Sequence, residues 1–280
     1  MTDKQEVPVY GDERVDEVNE RLTLIQKTSG LTFGTDAYLL AAFLRPSRRA
    51  RAVELGAGTG IVSLLAAVKG KADEIVAVEL QPEYAELCGR NVLLNGLGDR
   101  VRPLNADVRE LSPAVLGYEC ELVFSNPPYM RTDTGRPNCD GGKNAARHET
   151  AGTIRDFAAA AARLLKHGGT FCCVYRPDRL ADLMDSLRGA SLEPKRMTFV
   201  AADSESAPSM VLVESKKGAA PGLTVTPTLY LYKDTKKSGA REMSDAARAV
   251  YDTCSLYPTQ ERKKENAARK ASGEPNEVHP

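Results

Sequence analysis

From about residue 51 onward, short apolar runs alternate with stretches whose apolar positions recur at helical spacing. The runs at 51–55, 74–79, 101–104, 121–124, 170–175, 196–201 and 210–214 predict seven strands, and the patterns near 60–68, 82–95, 153–166 and 178–188 predict helices. Strands alternating with helices form a mostly parallel sheet covered on both faces, so the expected class is α/β. The best-signalled helix opens at Thr153, with Asp156 three places on as a relative of the capping box. Ile154, Phe157, Ala161, Leu164 and Leu165 then share a face, and Gly168-Gly169 is expected to stop it. Residues 223–232 alternate like a strand that Pro227 confines to an edge, and 244–251 reads as a short helix.

Composition narrows the class. The 280 residues carry an ordinary apolar share, with no run near the roughly 18 residues of a membrane span. The first twenty residues are polar and acidic where a targeting peptide is basic or apolar, which makes a cytoplasmic location the expectation. Six cysteines without paired spacing and three scattered histidines argue against a disulfide framework and against a metal site. The expected organisation is an acidic segment at 1–20 and one domain over 21–257. Within it, 21–50 is a cofactor-covering segment, 51–215 a Rossmann-like core and 222–252 a C-terminal strand and helix. A disordered tail is expected at 258–280.

Candidate chemistry begins at Ala52-Val53-Glu54-Leu55-Gly56-Ala57-Gly58-Thr59-Gly60-Ile61, which reads as strand, tight turn, helix. Glycines let the backbone pass close beneath a ligand. The third glycine comes one residue earlier than in a dinucleotide fingerprint, so the spacing favours S-adenosylmethionine over NAD. Glu54 suits the positively charged amino-acid end of that cofactor, and Glu79, ending the next strand, suits its ribose hydroxyls. Asp107 and the amide of Val108 suit its adenine.

Leu122-Val123-Phe124-Ser125-Asn126-Pro127-Pro128-Tyr129 then places an amide and two prolines at the carboxyl end of the fourth strand, the ligand-binding edge of open α/β sheets. A planar amine is a poor nucleophile because its lone pair is delocalised. Asn126 Oδ1 and the Pro127 carbonyl can each accept one of its N–H bonds and turn the lone pair toward a sulfonium methyl. Pro128 and Tyr129 face the substrate, Tyr129 by stacking. The physics of the motif leaves adenine, guanine and glutamine amines all open.

These residues resemble the class I methyltransferases with an Asn-Pro-Pro-Tyr motif. Leu31-Thr32-Phe33-Gly34-Thr35-Asp36-Ala37-Tyr38-Leu39-Leu40-Ala41-Ala42-Phe43, with Ala146-Arg147-His148-Glu149, Tyr175-Arg176-Pro177-Asp178-Arg179-Leu180 and Leu192-Glu193-Pro194-Lys195-Arg196, is similar to the bacterial tRNA1(Val) adenine-N6 methyltransferases. The resemblance spans about residues 20–252. It implies a Rossmann-like fold with a reversed last strand and methylation of N6 of the adenosine at position 37 of a tRNA. It further implies that the segment before the first strand closes over the cofactor, giving Thr35 and Asp36 a role there; by sequence alone either could instead cap a helix. The long stretch 130–150 would then hold RNA, with Arg131, Lys143, Arg147 and His148 as contacts to tRNA. The competing readings are release-factor glutamine methylation, guanine-N2 methylation of ribosomal RNA, and an RNA-binding scaffold that keeps the fold. Lys plus Arg balance Asp plus Glu at 38 each, so net charge selects none of them, and oligomeric state is not legible.

Overall fold

The computed structural model describes residues 7–29, 33–47, 49–128, 152–233 and 242–256. A hairpin of β1 (Glu13–Asn19) and β2 (Leu22–Lys27) precedes the strands of the main sheet, β3 (Arg51–Leu55), β4 (Glu74–Glu79), β5 (Val101–Asn105), β6 (Cys120–Ser125), β7 (Leu165–Tyr175), β8 (Leu192–Ala201) and β9 (Met210–Lys217). Their spatial order is β5-β4-β3-β6-β7-β9-β8, and β9 runs antiparallel to both of its neighbours. Two short strands, β10 (Thr224–Val225) and β11 (Leu229–Tyr230), flank Pro227 and pair with the outer edge of β8, bringing the sheet to nine strands. A missing N–H is harmless in a break between two edge strands.

The helices are α1 (Thr35–Phe43), α2 (Ile61–Val68), α3 (Pro82–Leu94), α4 (Pro113–Leu116), α5 (Ile154–Leu164), α6 (Leu180–Gly189) and α7 (Asp245–Thr253). Alternate strand residues feed two cores. Ala52, Ile75, Ala77, Leu122, Phe124 and Cys172 pack with α1 and α2, while Val53, Leu55, Val76, Val78, Val123 and Cys173 pack with α5 and α6. The adjacent Cys172 and Cys173 are thus buried thiols in opposite cores, and neither is bonded to another cysteine. Helix α1 is buried from Ala37 through Phe43, as expected of a helix apolar all round.

Beyond the unexpected short α4 and the division of the 223–232 strand into β10 and β11, two regions depart from expectation. Thr153 and Asp156 do form a full reciprocal capping box, but α5 ends at Leu164, not 166. Strand β7 starts at once, and Gly168, at φ 75°, lies inside it where the register against β6 shifts. The glycine pair therefore makes a bulge and does not stop the helix. The hairpin over 13–27 was not predicted, because its anchors lie far along the chain.

Those anchors are on α3. Asn91 accepts from the Ile25 amide (2.7 Å) and donates to the Ile25 carbonyl (2.9 Å); Asn95 does the same to Thr23 (3.0 and 2.7 Å). Four helical residues rise about 6 Å and two strand residues about 6.6 Å, so the two side-chain amides match the repeat of β2 and stand in for a neighbouring strand. Arg90 clasps Glu13 through two bonds of 2.7 Å, which holds that buried carboxyl down at about 2. Asn91 also donates to the Thr59 carbonyl (3.0 Å), tying the hairpin to the glycine turn. The expected tail at 258–280 lies outside the described residues.

Candidate active site at the carboxyl edge of the sheet

The glycine turn leaves β3 beside the end of β4. The amides of Gly56 and Ala57 both donate to the Val78 carbonyl (2.9 and 2.8 Å), and Gly56, Gly58 and Gly60 all have positive φ. At Gly60, with φ 84°, an added Cβ would stand 2.5 Å from Cys88 Sγ. Gly60→Ala is therefore expected to cost roughly 2–5 kcal/mol of stability, from left-handed strain and overpacking together. Urea unfolding checks this, and Gly60→Ala/Cys88→Ala should recover the packing part.

Two carboxylates are buried against this turn. Glu54 accepts from the Ser63 amide (2.9 Å) and from the Ser63 hydroxyl, both on Oε2. Burial pushes its pKa up to about 8 against the pull of those bonds, and Glu79 adds repulsion. Glu79 accepts from the Gly58 amide (2.8 Å) and the Gln81 amide (2.9 Å), and burial raises it as well. A pair of buried acids beside a glycine turn suits a ligand that carries positive charge and hydroxyl groups.

Asp107 follows β5. Both of its oxygens are engaged by the Arg109 guanidinium, which holds its carboxyl below the usual range. A carboxylate has about four acceptor positions, so this pairing leaves room for a further donor. Val108 is buried, and its carbonyl accepts from Arg163 at 3.1 Å.

The Asn126-Pro127-Pro128 turn leaves β6 next to β3. Ser125 Oγ donates to the Leu55 carbonyl (2.7 Å), so the residue before the turn is fastened to the residue before the glycines. Pro127 is buried, and Asn126 and Pro128 are half-buried. Asn126 Nδ2 donates to Asp36 Oδ2 at 2.9 Å. Gly34, not Thr35 or Asp36, is the N-cap of α1, and Thr35 opens that helix half-buried. Thus Glu54, Gly56, Gly58, Gly60, Glu79, Thr35, Asp36 and Asn126 lie on elements that these bonds join. Tyr129, Arg131, Lys143, Arg147 and His148 lie outside the described residues. Ser63, Asn91 and Ser125 escaped the sequence reading; the two serines signal themselves only as polar residues inside otherwise apolar runs, as in Ile61-Val62-Ser63-Leu64-Leu65, and Asn91, next to Arg90, has no such signal.

A solved predicted O-methyltransferase from Agrobacterium tumefaciens shares this fold. That structure aligns with a TM-score of 0.64 over 80% of this chain and 98% of its own, at 22% identity. The fold is that of a class I methyltransferase. A Thermus thermophilus 16S rRNA N2 G1207 methyltransferase, solved with AdoMet and guanosine, aligns at a TM-score of 0.50 and 19% identity over 75% of this chain and 52% of its own. The profile of the TRM5/TYW2 methyltransferase domain matches residues 46–123, the half of the methyltransferase fold that contains the glycine turn. Similarity to curated tRNA1(Val) (adenine(37)-N6)-methyltransferases runs further. It reaches 26% identity with that of Bacteroides fragilis (strain YCH46) over 83% of this chain and 90% of the relative, and 26% with that of Dyadobacter fermentans over 83% and 95%. Among the described residues of this methyltransferase fold, no helix is long and apolar enough to cross a membrane, and no group of three or more His, Cys, Asp or Glu could hold a metal ion.

Proposed function

We propose that this protein is an S-adenosylmethionine-dependent methyltransferase that methylates N6 of adenosine 37 in tRNA1(Val), acting in the cytoplasm. The observation that carries the reading is the Asn126-Pro127 turn, fastened by Ser125 to the strand end from which the glycine turn departs. That one bond supports an amine acceptor beside a cofactor site.

The residues present fit S-adenosylmethionine: buried Glu54 for the ammonium end, Glu79 for ribose hydroxyls, and Asp107 with the Val108 amide for adenine. When bound, the cofactor supplies an electrophilic methyl on a sulfonium. Asn126 Oδ1 and the Pro127 carbonyl accept the two N–H bonds of the substrate amine. Its nitrogen then leaves the plane of the ring, and its lone pair is released from conjugation. The closing proton needs no strong base, because the methylated amine is acidic until it loses one. Tyr129, next in the chain, supplies a stacking face for the base, and Arg131, Lys143, Arg147 and His148 supply contacts to tRNA. The names of the relatives support adenine over guanine or glutamine.

The test is incubation of the purified protein with labelled S-adenosylmethionine and tRNA1(Val) transcripts carrying A37 or G37. Label in the A37 transcript alone, mapped to N6-methyladenosine, is the expected result. Label in both transcripts, or in ribosomal RNA or protein instead, refutes it.

A further inference from the structure

We infer that Asp36 is a positioning residue that fixes which way the Asn126 amide faces; the inference rests on the methyl-transfer reading above. An asparagine amide can turn over about its last torsion and exchange oxygen for nitrogen with little change in shape. For an amine-accepting turn the two faces are opposites, since oxygen accepts the substrate N–H and nitrogen repels it. A carboxylate can only accept. With Asp36 Oδ2 at 2.9 Å from Asn126 Nδ2, the nitrogen is held on the Asp36 side and Oδ1 is turned to the other.

The surroundings fix Asp36 in turn. Its other oxygen accepts from the Ala37 amide (2.9 Å) in the first turn of α1, where the helix dipole favours negative charge. A Cβ on Gly34 would come within 2.7 Å of Asp36 Oδ1, at an ordinary φ of −125°, so the glycine there clears space for the carboxylate. Behind it, α1 cannot shift easily. Tyr38 stacks on Tyr251 with centroids 4.7 Å apart and donates to the Tyr251 carbonyl, and the Leu256 amide donates to Ala42. In front, Gln26 of the hairpin accepts from the Phe33 amide at 2.9 Å. The bond joins residues ninety positions apart, from the segment before the first core strand to the catalytic turn. Asp36, expected from resemblance to contact cofactor, is thereby assigned to orienting the substrate acceptor.

The test is a double-mutant cycle with a spectroscopic arm. Asp36→Ala is expected to lower kcat about 10- to 100-fold with S-adenosylmethionine affinity changed less than about threefold, and Asp36→Asn, which keeps one acceptor oxygen, to fall between. In an Asn126→Ser background, which has no amide to orient, Asp36→Ala should cost less than about twofold; an equal loss in both backgrounds overturns the proposal in favour of a general structural role. Independently of activity, the Asn126 side-chain amide protons, assigned by their absence in Asn126→Ala, should shift and exchange faster in Asp36→Ala. Unchanged signals overturn the proposal. A wild-type protein inactive on tRNA would refute the proposed function, while the amide signals would still decide whether Asp36 orients Asn126.

Discussion

Asn126→Ala is expected to slow single-turnover methyl transfer by roughly 10²–10³-fold, the scale at which removing one preorganised hydrogen-bonding group acts. The loss should fall on kcat, because the acceptor matters most as the substrate nitrogen becomes pyramidal and its N–H bonds polarise. S-adenosylmethionine affinity, measured by calorimetry, should stay within about threefold, since Glu54 and Glu79, the residues proposed to hold the cofactor, lie on β3 and β4 and the Ser125 bond to Leu55 survives the change. A variant with unchanged kcat and only a raised KM would show that Asn126 merely binds the ground state.

Glu54→Gln is expected to remove both the cofactor affinity and its pH dependence. Burial holds the ligand-free carboxyl at about 8, so near neutral pH it is mostly protonated and must ionise to meet a cation. Wild-type affinity for S-adenosylmethionine should therefore rise about tenfold per pH unit from 6 to 8 and level off above, a proton being released on binding. The variant should bind about 10²-fold more weakly at pH 8, with a flat profile. Stability changes in the opposite sense. A folded-state pKa raised from 4.5 to about 8 gives a contribution that is fully present below 4.5 and lost as pH climbs through 8. At one pKa unit per 1.36 kcal/mol the total is roughly 5 kcal/mol. The ligand-free variant, which has no such loss, should gain on wild type in thermal melts as pH rises from 5 to 8. Parallel melting curves at every pH would refute an ionisable, buried Glu54.

The parts of this molecule that could be read from sequence are those whose reason is local. The glycine turn needs its glycines where the backbone bends, Glu54 is one residue from the end of β3 and Glu79 ends β4, and Asn126-Pro127 follows an apolar run. The hairpin was invisible for the opposite reason. Glu13 is buried only because Arg90 meets it, and Asn91 and Asn95 look like ordinary polar residues of an amphipathic helix until β2 lies beside them. Gly168-Gly169 misled because a helix stop and a strand bulge use the same residue for the same left-handed backbone. Ser63 and Ser125 are small polar residues in apolar runs, and the sequence names neither the carboxylate that one meets nor the carbonyl that the other meets.

Strand β9 lies between β7 and β8 although it is made after both. A chain emerging from the ribosome can pair β3 through β7 as they appear, but β8 has no core neighbour until residues 210–217 arrive. Until then the edge of β7, with Phe171, Cys172, Cys173 and Val174 along it, is uncovered. The order of synthesis thus leaves the nascent protein with an open, sticky margin that only residues 210–217 can close, and any pause before residue 210 prolongs its exposure.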